Sequence, residues 1–134
     1  MKDTILFLRI AYWWGVTADA VTAILMLFPN LFLRAMSFNL APGRDFAFGL
    51  SYCVPLMIGW TILLIWADRK PLERKGILLL TLPIIAGYIA IELYAVSTGI
   101  TSLGSALPLL VMQTGLFALI VFSCRRAKNM VGIA

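Results

Sequence analysis

Long runs of apolar residues, interrupted by very few charges, dominate the pattern along the chain. A helix needs about 20 mostly apolar residues to cross a hydrocarbon core of roughly 30 Å. Four segments meet this requirement, at residues 10–28, 46–67, 77–98 and 106–124. The first contains one charged residue, Asp19, the third contains one, Glu92, and the other two contain none. The sequence therefore predicts four membrane spans joined by short connections.

The spans are predicted to be helices. A transmembrane barrel strand alternates polar and apolar residues, and these runs do not alternate. In lipid the backbone must satisfy its own hydrogen bonds within the segment, so a continuous apolar run forms a helix. The predicted fold is all-α, a single four-helix transmembrane bundle over residues 1–134 with no soluble module.

Composition excludes several other classes of protein. Hydrophobic residues make up 62% of the chain and charged residues 13%, whereas about 25% is charged in an average soluble domain. This excludes a water-soluble enzyme domain, and it also excludes disorder, which requires low hydrophobicity. The chain has no histidine, which removes histidine-based triads, histidine-ligated haem and most transition-metal sites. We expect no cofactor and no metal.

The basic residues predict the orientation. With four spans, both termini and the 68–75 connection lie on one side, which holds nine of the eleven basic residues, while Arg34 and Arg44 lie on the other. The positive-inside rule places the richer side in the cytoplasm. We therefore expect a multi-pass protein of the cell (inner) membrane with both termini cytoplasmic. The net charge of +5 indicates anchoring to membrane lipids rather than binding of nucleic acid, and the 68–75 connection is either a topology anchor or an anionic-lipid site.

The first span has an alternative interpretation. Lys2, the apolar run and the small residues Ala18 and Ala20 are similar to a secretory signal with its cleavage site. However, Arg9 interrupts the run and Asp19 falls inside the cleavage motif, so a retained span is favoured. Cys53 and Cys124 lie at opposite depths and are not expected to form a disulfide.

The two acids within the spans are the most informative residues. An acid near the bilayer centre costs roughly 2.5–3.5 kcal/mol on insertion scales, so it rarely faces lipid. Helical spacing places Tyr12 and Thr22 on the face of Asp19, and Tyr88 on the face of Glu92. Both acids fall in the outer half of the membrane, where desolvation and mutual repulsion favour the neutral form of each carboxyl, and one proton shared between the two is compatible with such a pair. The pattern indicates a proton-active or cation-binding site, or otherwise interhelical hydrogen bonds.

Other polar and aromatic residues are predicted to complete this site. Tyr52 and Gln113 lie in the same outer slab as the acids, while Trp13 and Trp60 lie deeper than an interfacial belt. Indole rings beneath carboxyls suit an apolar ligand or a cation held by ring faces, although ordinary packing is the alternative. The predicted acid/base residues are Asp19 and Glu92, and the predicted ligand-binding residues are Tyr12, Trp13, Thr22, Tyr52, Trp60, Tyr88 and Gln113.

A family resemblance rests on two short segments. Residues 27–34 (LFPNLFLR), followed by 46–49 (FAFG), resemble the first hairpin of small four-span DoxX-like membrane proteins. The resemblance covers about a quarter of the chain. Most functions in that group are unassigned, so it implies a fold and no particular chemistry.

Three classes of function remain open. The first is a membrane enzyme or receptor for a hydrophobic or cationic small molecule, with Asp19 and Glu92 as acid and base of an isomerase- or cyclase-type reaction. The second is a small proton- or cation-coupled transporter, which would act as a homodimer. The third is a structural subunit of a membrane complex. Acids inside one protomer favour the first class, acids at a dimer seam the second, and acids facing a foreign subunit the third.

Overall fold

The chain is helical throughout its long elements. A computed structural model describes the backbone of residues 2–131 and the side chains of residues 3–128. This part of the chain contains five helices: α1 (Lys2–Met26), α2 (Pro29–Ala35), α3 (Arg44–Asp68), α4 (Lys75–Ser97) and α5 (Leu103–Val131). The prediction of an all-α protein is confirmed. The four long helices cover the four apolar runs except residues 27, 28 and 98, and the seven-residue α2 is an additional element.

Three of the helices are long and apolar enough to cross a membrane: α3, α4 and residues 103–128 of α5. Helix α1 is long enough at 25 residues, but Arg9 and Asp19 make its composition more polar. These findings are consistent with a membrane protein. The fourth span and the cytoplasmic position of both termini stay predictions, and residues 1 and 132–134 lie outside the described part of the chain.

The long helices form a bundle in which α1 lies between α3 and α5. Helix α1 makes its most extensive contacts with α3, and helix α4 makes its most extensive contacts with α5. Helices α3 and α4 contact each other at few points. The core is built from side chains of all four long helices, among them Leu8, Tyr12, Leu64, Leu78 and Ile120. The α3–α4 boundary is therefore the most loosely packed side of the bundle.

One end of the bundle is closed by its two loops. The amide of Asn39 donates to the carbonyl of Ile100 at 2.9 Å, and the hydroxyl of Thr101 donates to the carbonyl of Ser37 at 2.9 Å. Thr101 is buried. Gly99 adopts a φ of 76° after the last turn of α4, a left-handed conformation that glycine accepts without steric cost. The segment after α2 is thus held against the α4–α5 loop.

The opposite end is held by polar contacts between α1 and the α3–α4 connection. The hydroxyl of Tyr12, a fully buried residue, donates to the carbonyl of Arg74 at 2.8 Å. The indole of Trp13 donates to the Asp68 carboxylate at 3.2 Å, and Arg9 lies 3.7 Å from the same carboxylate. These contacts fix how far α1 extends along its neighbours.

Candidate functional site

Glu92 is buried inside the bundle without a partner for its carboxyl. The residue is 5% exposed, and its Oε2 atom has no hydrogen-bond partner. It lies in α4, one of the helices apolar enough to span a membrane. Buried polar groups in folded proteins nearly always find a partner, so this free oxygen within an apolar helix needs an explanation.

Asp19 is partly buried and has no direct polar contact within the described part of the chain. Among the described side chains, the Asp19 carboxyl forms neither a hydrogen bond nor an ion pair, and Tyr88 on α4 lies within electrostatic range of it without a hydrogen bond between them. The Tyr88 hydroxyl lies 3.5 Å from Sδ of Met57 and donates to it. Tyr88 of α4 therefore contacts α3, at the loosely packed side of the bundle.

Gln113 and Trp60 also carry buried polar atoms without partners. These atoms are Oε1 of Gln113 on α5, an acceptor, and Nε1 of Trp60 on α3, a donor. Asp68 has one further such atom, Oδ1, but Arg9 lies 3.7 Å from it. Glu92, Gln113 and Trp60 thus place unsatisfied hydrogen-bonding groups on three different helices.

The contacts between helices place these groups within about two helical turns of one another along the bundle axis. A Cβ on Gly15 would lie 3.1 Å from Leu64, and together with the Arg9–Asp68 contact this register places Trp60 nearly opposite Asp19. Tyr88 lies at about that level too, because its hydroxyl lies 3.5 Å from Met57 Sδ, about one turn from Trp60 on α3.

The depths of Glu92 and Gln113 along the bundle axis follow from the contacts of α5. Its register is given by the ring contact of Phe7 with Phe122 at 5.5 Å and by the contact of Cys124 with Lys75 at 3.9 Å. Glu92 then lies about one turn to one side of Asp19 along the bundle axis and Gln113 about one turn to the other, roughly 5 Å each.

Other predicted site residues have different surroundings. Trp13 is 54% exposed and Tyr52 is 66% exposed; the Trp13 indole binds Asp68, and the Tyr52 ring packs edge-on against Phe48. The Tyr12 hydroxyl donates its hydrogen bond to the Arg74 carbonyl. The Thr22 hydroxyl donates to the Ala18 carbonyl at 2.8 Å, one turn earlier in its own helix. None of these four side chains offers a free polar group to the bundle interior.

Sequence reasoning missed Met57 as the contact of Tyr88. Met57 lies three residues before Trp60, on the same face of α3, and this spacing was the available signal. The two acids are not joined directly: no hydrogen bond or ion pair connects Asp19 to Glu92 among side chains 3–128. They are two separate carboxyls at neighbouring depths.

An apolar crevice lies at the same level on the outside of the bundle. It has a volume of about 200 Å³, lies between α1 and α3, and is lined by Ala20, Ala23, Ile24, Leu27, Ile58, Thr61 and Ile62. The space is left by the small side chains of Ala20, which follows Asp19 in the sequence, and Ala23. The crevice is suited to an apolar group.

Comparison with protein-family models, with curated proteins and with solved structures found no match to this chain. The chemistry of the site therefore rests on its own residues, and the resemblance to DoxX-like proteins stays a prediction.

Proposed function

We propose that this chain is a four-span integral membrane protein that binds a hydrophobic or cationic small molecule within its bundle, with Asp19 and Glu92 as polar contacts. The observation that carries the proposal is the buried Glu92 carboxyl, 5% exposed and without a partner for Oε2. Because an acid in a membrane span is costly to insert, its presence without an internal partner is best explained by a ligand.

The position of α1 supports a fourth span. It lies between two helices that are apolar enough to cross a membrane, and its outward face carries large exposed apolar residues, including Ile10, Val21 and Ile24. A face of this kind is stable against lipid and costly in water. The excess of basic residues in the connection between α3 and α4 supports a cytoplasmic position for that end.

The unpartnered groups define the chemistry of the ligand. A protonated Glu92 and the Trp60 indole can each donate a hydrogen bond, and Gln113 Oε1 can accept one. Asp19, whose carboxyl has no hydrogen-bond partner among the described side chains, can accept a donor or attract a cation when ionised. We infer a mostly apolar molecule with one polar or cationic group, whose apolar part is compatible with the crevice between α1 and α3.

The location of Glu92 favours this function over the two alternatives. Transport at a dimer seam would require the acids on an exposed face, whereas Glu92 is buried within a single chain. A purely structural role would require hydrogen bonds, and Glu92, Gln113 and Trp60 each have a free buried atom. An acid/base reaction on the bound molecule also remains compatible, because the two carboxyls differ in burial and such environments separate the roles of acid and base.

Reaction with a membrane-soluble carbodiimide tests whether a ligand can reach the carboxyls. Dicyclohexylcarbodiimide reacts with protonated carboxyls in apolar surroundings, and mass spectrometry locates the adduct. We expect the adduct on Glu92 in the purified protein, with a smaller amount on Asp19. The Glu92→Gln variant should lose the Glu92 adduct and keep any at Asp19.

The exposed Glu73, in the connection between α3 and α4, is the internal control for nonspecific reaction. Adducts only at Glu73, with both span carboxyls unmodified in folded protein, would mean that the carboxyls are sealed as packing groups, and the binding proposal would be abandoned.

A further inference from the structure

A second cavity lies on the surface of α5, away from the acids. It is a groove of about 600 Å³, lined by Phe117, Ala118, Val121, Phe122, Arg125 and Arg126. All of these residues belong to α5 and the groove is open along one side, so it can accommodate an elongated molecule, such as a lipid chain, that stays partly exposed. Its first four residues are apolar, and its last two carry guanidinium groups.

The two arginines have no acidic partner. Among side chains 3–128, neither Arg125 nor Arg126 forms an ion pair. The Arg126 guanidinium lies 5.6 Å from the ring centre of Phe7, and Phe7 packs edge-on against Phe122 at 5.5 Å. Arg126 is therefore held against the apolar wall of the groove while its charge remains available.

The change from apolar to basic residues coincides with the end of a membrane span. Residues 103–128 form a candidate span, so Phe117 lies within the hydrocarbon region and the two arginines lie at its boundary. In a bilayer, the acyl chains of a lipid and its phosphate meet at this same boundary. Guanidinium binds phosphate oxygens with paired hydrogen bonds.

We propose that this groove binds one anionic phospholipid, with an acyl chain along Phe117 and Val121 and the phosphate on Arg125 and Arg126. Charge complementarity identifies the occupant: two unpaired guanidiniums favour a headgroup with net negative charge, whereas the ammonium of phosphatidylcholine offsets its own phosphate. Basic pockets at the ends of membrane helices bind anionic headgroups in the same manner. This proposal does not depend on the acid site.

Lipid titration of the purified full-length protein in neutral detergent tests the proposal. Native mass spectrometry would measure retained phosphatidylglycerol and phosphatidylcholine with identical acyl chains, and inorganic phosphate would serve as a soluble competitor. The Arg125→Gln/Arg126→Gln variant removes both charges. The matched control is Arg34→Gln/Arg44→Gln, which removes two exposed charges from the opposite end of the bundle. Ala118→Trp fills the groove and leaves the charges unchanged.

We expect phosphatidylglycerol to bind at least about tenfold more tightly than phosphatidylcholine. Each arginine should contribute about fivefold, the usual effect of a basic residue near an anionic surface, so the double variant should bind about 25-fold more weakly. Ala118→Trp should also release the lipid, and the control pair should change little.

Four results would overturn the proposal. Equal binding of the two lipids would remove the role of charge. An equal loss in the control pair would indicate diffuse attraction to the protein. Displacement of the lipid by inorganic phosphate, or dimers that disappear in Ala118→Trp, would mean that an anion or a second copy of the chain occupies the groove.

Discussion

Replacing Glu92 with leucine should stabilise the protein. Glu92 is 5% exposed and its Oε2 has no partner, whereas leucine has a similar volume and no polar atoms. A buried polar group without a partner costs about 1–3 kcal/mol. Compared with wild-type protein freed of ligand, the Glu92→Leu variant should therefore gain about 1–3 kcal/mol in the free energy of unfolding, while binding of the intramembrane ligand is lost.

Thr81→Val on the same helix is the matched control. Thr81 is also buried, at 6% exposure, but its hydroxyl donates to the Ile77 carbonyl at 3.0 Å. Valine keeps the shape and removes a single satisfied hydrogen bond. Because membrane hydrogen bonds average about 0.6 kcal/mol, the control should lose that amount or less.

Equilibrium unfolding of the purified proteins in mixed detergent micelles, followed by circular dichroism, measures both changes. The contrast between the two variants is the decisive quantity, since both alter a buried polar residue of α4. A Glu92→Leu protein that loses more than about 1 kcal/mol would refute the reasoning, because a loss of that size is typical of a broken hydrogen bond. Glu92 would then be a structural residue with a partner.

Three further predictions concern packing and topology. Tyr12→Phe should lose about 0.5–1.5 kcal/mol, the net value of one hydrogen bond, because its hydroxyl binds the Arg74 carbonyl; the same unfolding assay measures it. Gly15→Ala should not gain the roughly 0.5–1 kcal/mol of stability that alanine usually adds over glycine in a helix, because the new Cβ would lie 3.1 Å from Leu64 Cδ1. A gain of that full size would contradict the close α1–α3 packing. A cysteine at Leu72, in a chain without its two native cysteines, should resist an impermeant thiol reagent added to intact cells and react after permeabilisation; ready labelling from outside would reverse the topology.

The apolar runs predicted the long helices well, with differences at their ends. Helix α3 begins at Arg44 and ends at Asp68, close to the predicted span 46–67, because charged residues bound the run on both sides. Helix α1 begins eight residues before its apolar run, at Lys2. The helix continues through Arg9 because that segment packs on the bundle, with Leu8 fully buried. Hydropathy detects the part of a helix suited to lipid and not the part that extends beyond it.

The face that each helix turns inward was harder to predict. In lipid the outward face is as apolar as the inward one, so the sequence contains little periodicity to distinguish them. Tyr52 and Trp13 were expected to contribute to the site and are mostly exposed in the single chain. The position of Glu92 inside the bundle could be predicted because an acid within a membrane span rarely faces lipid. Helix α2 was missed because seven residues give too short a pattern, although Pro29 at its start is a typical signal.

The most direct test of the central claim is native mass spectrometry of Asp19→Asn and Glu92→Gln beside the wild-type protein, with unfolding free energies measured on the same preparations. Each substitution keeps the shape and much of the hydrogen-bonding capacity and removes the exchangeable acid. We predict that the wild-type protein retains a small hydrophobic molecule, that both variants are at least as stable as wild-type protein freed of that molecule, and that both variants lose the molecule, Glu92→Gln more completely. Two variants as stable as the wild type that retain the same bound molecule to the same extent would contradict the account and leave the carboxyls as packing groups.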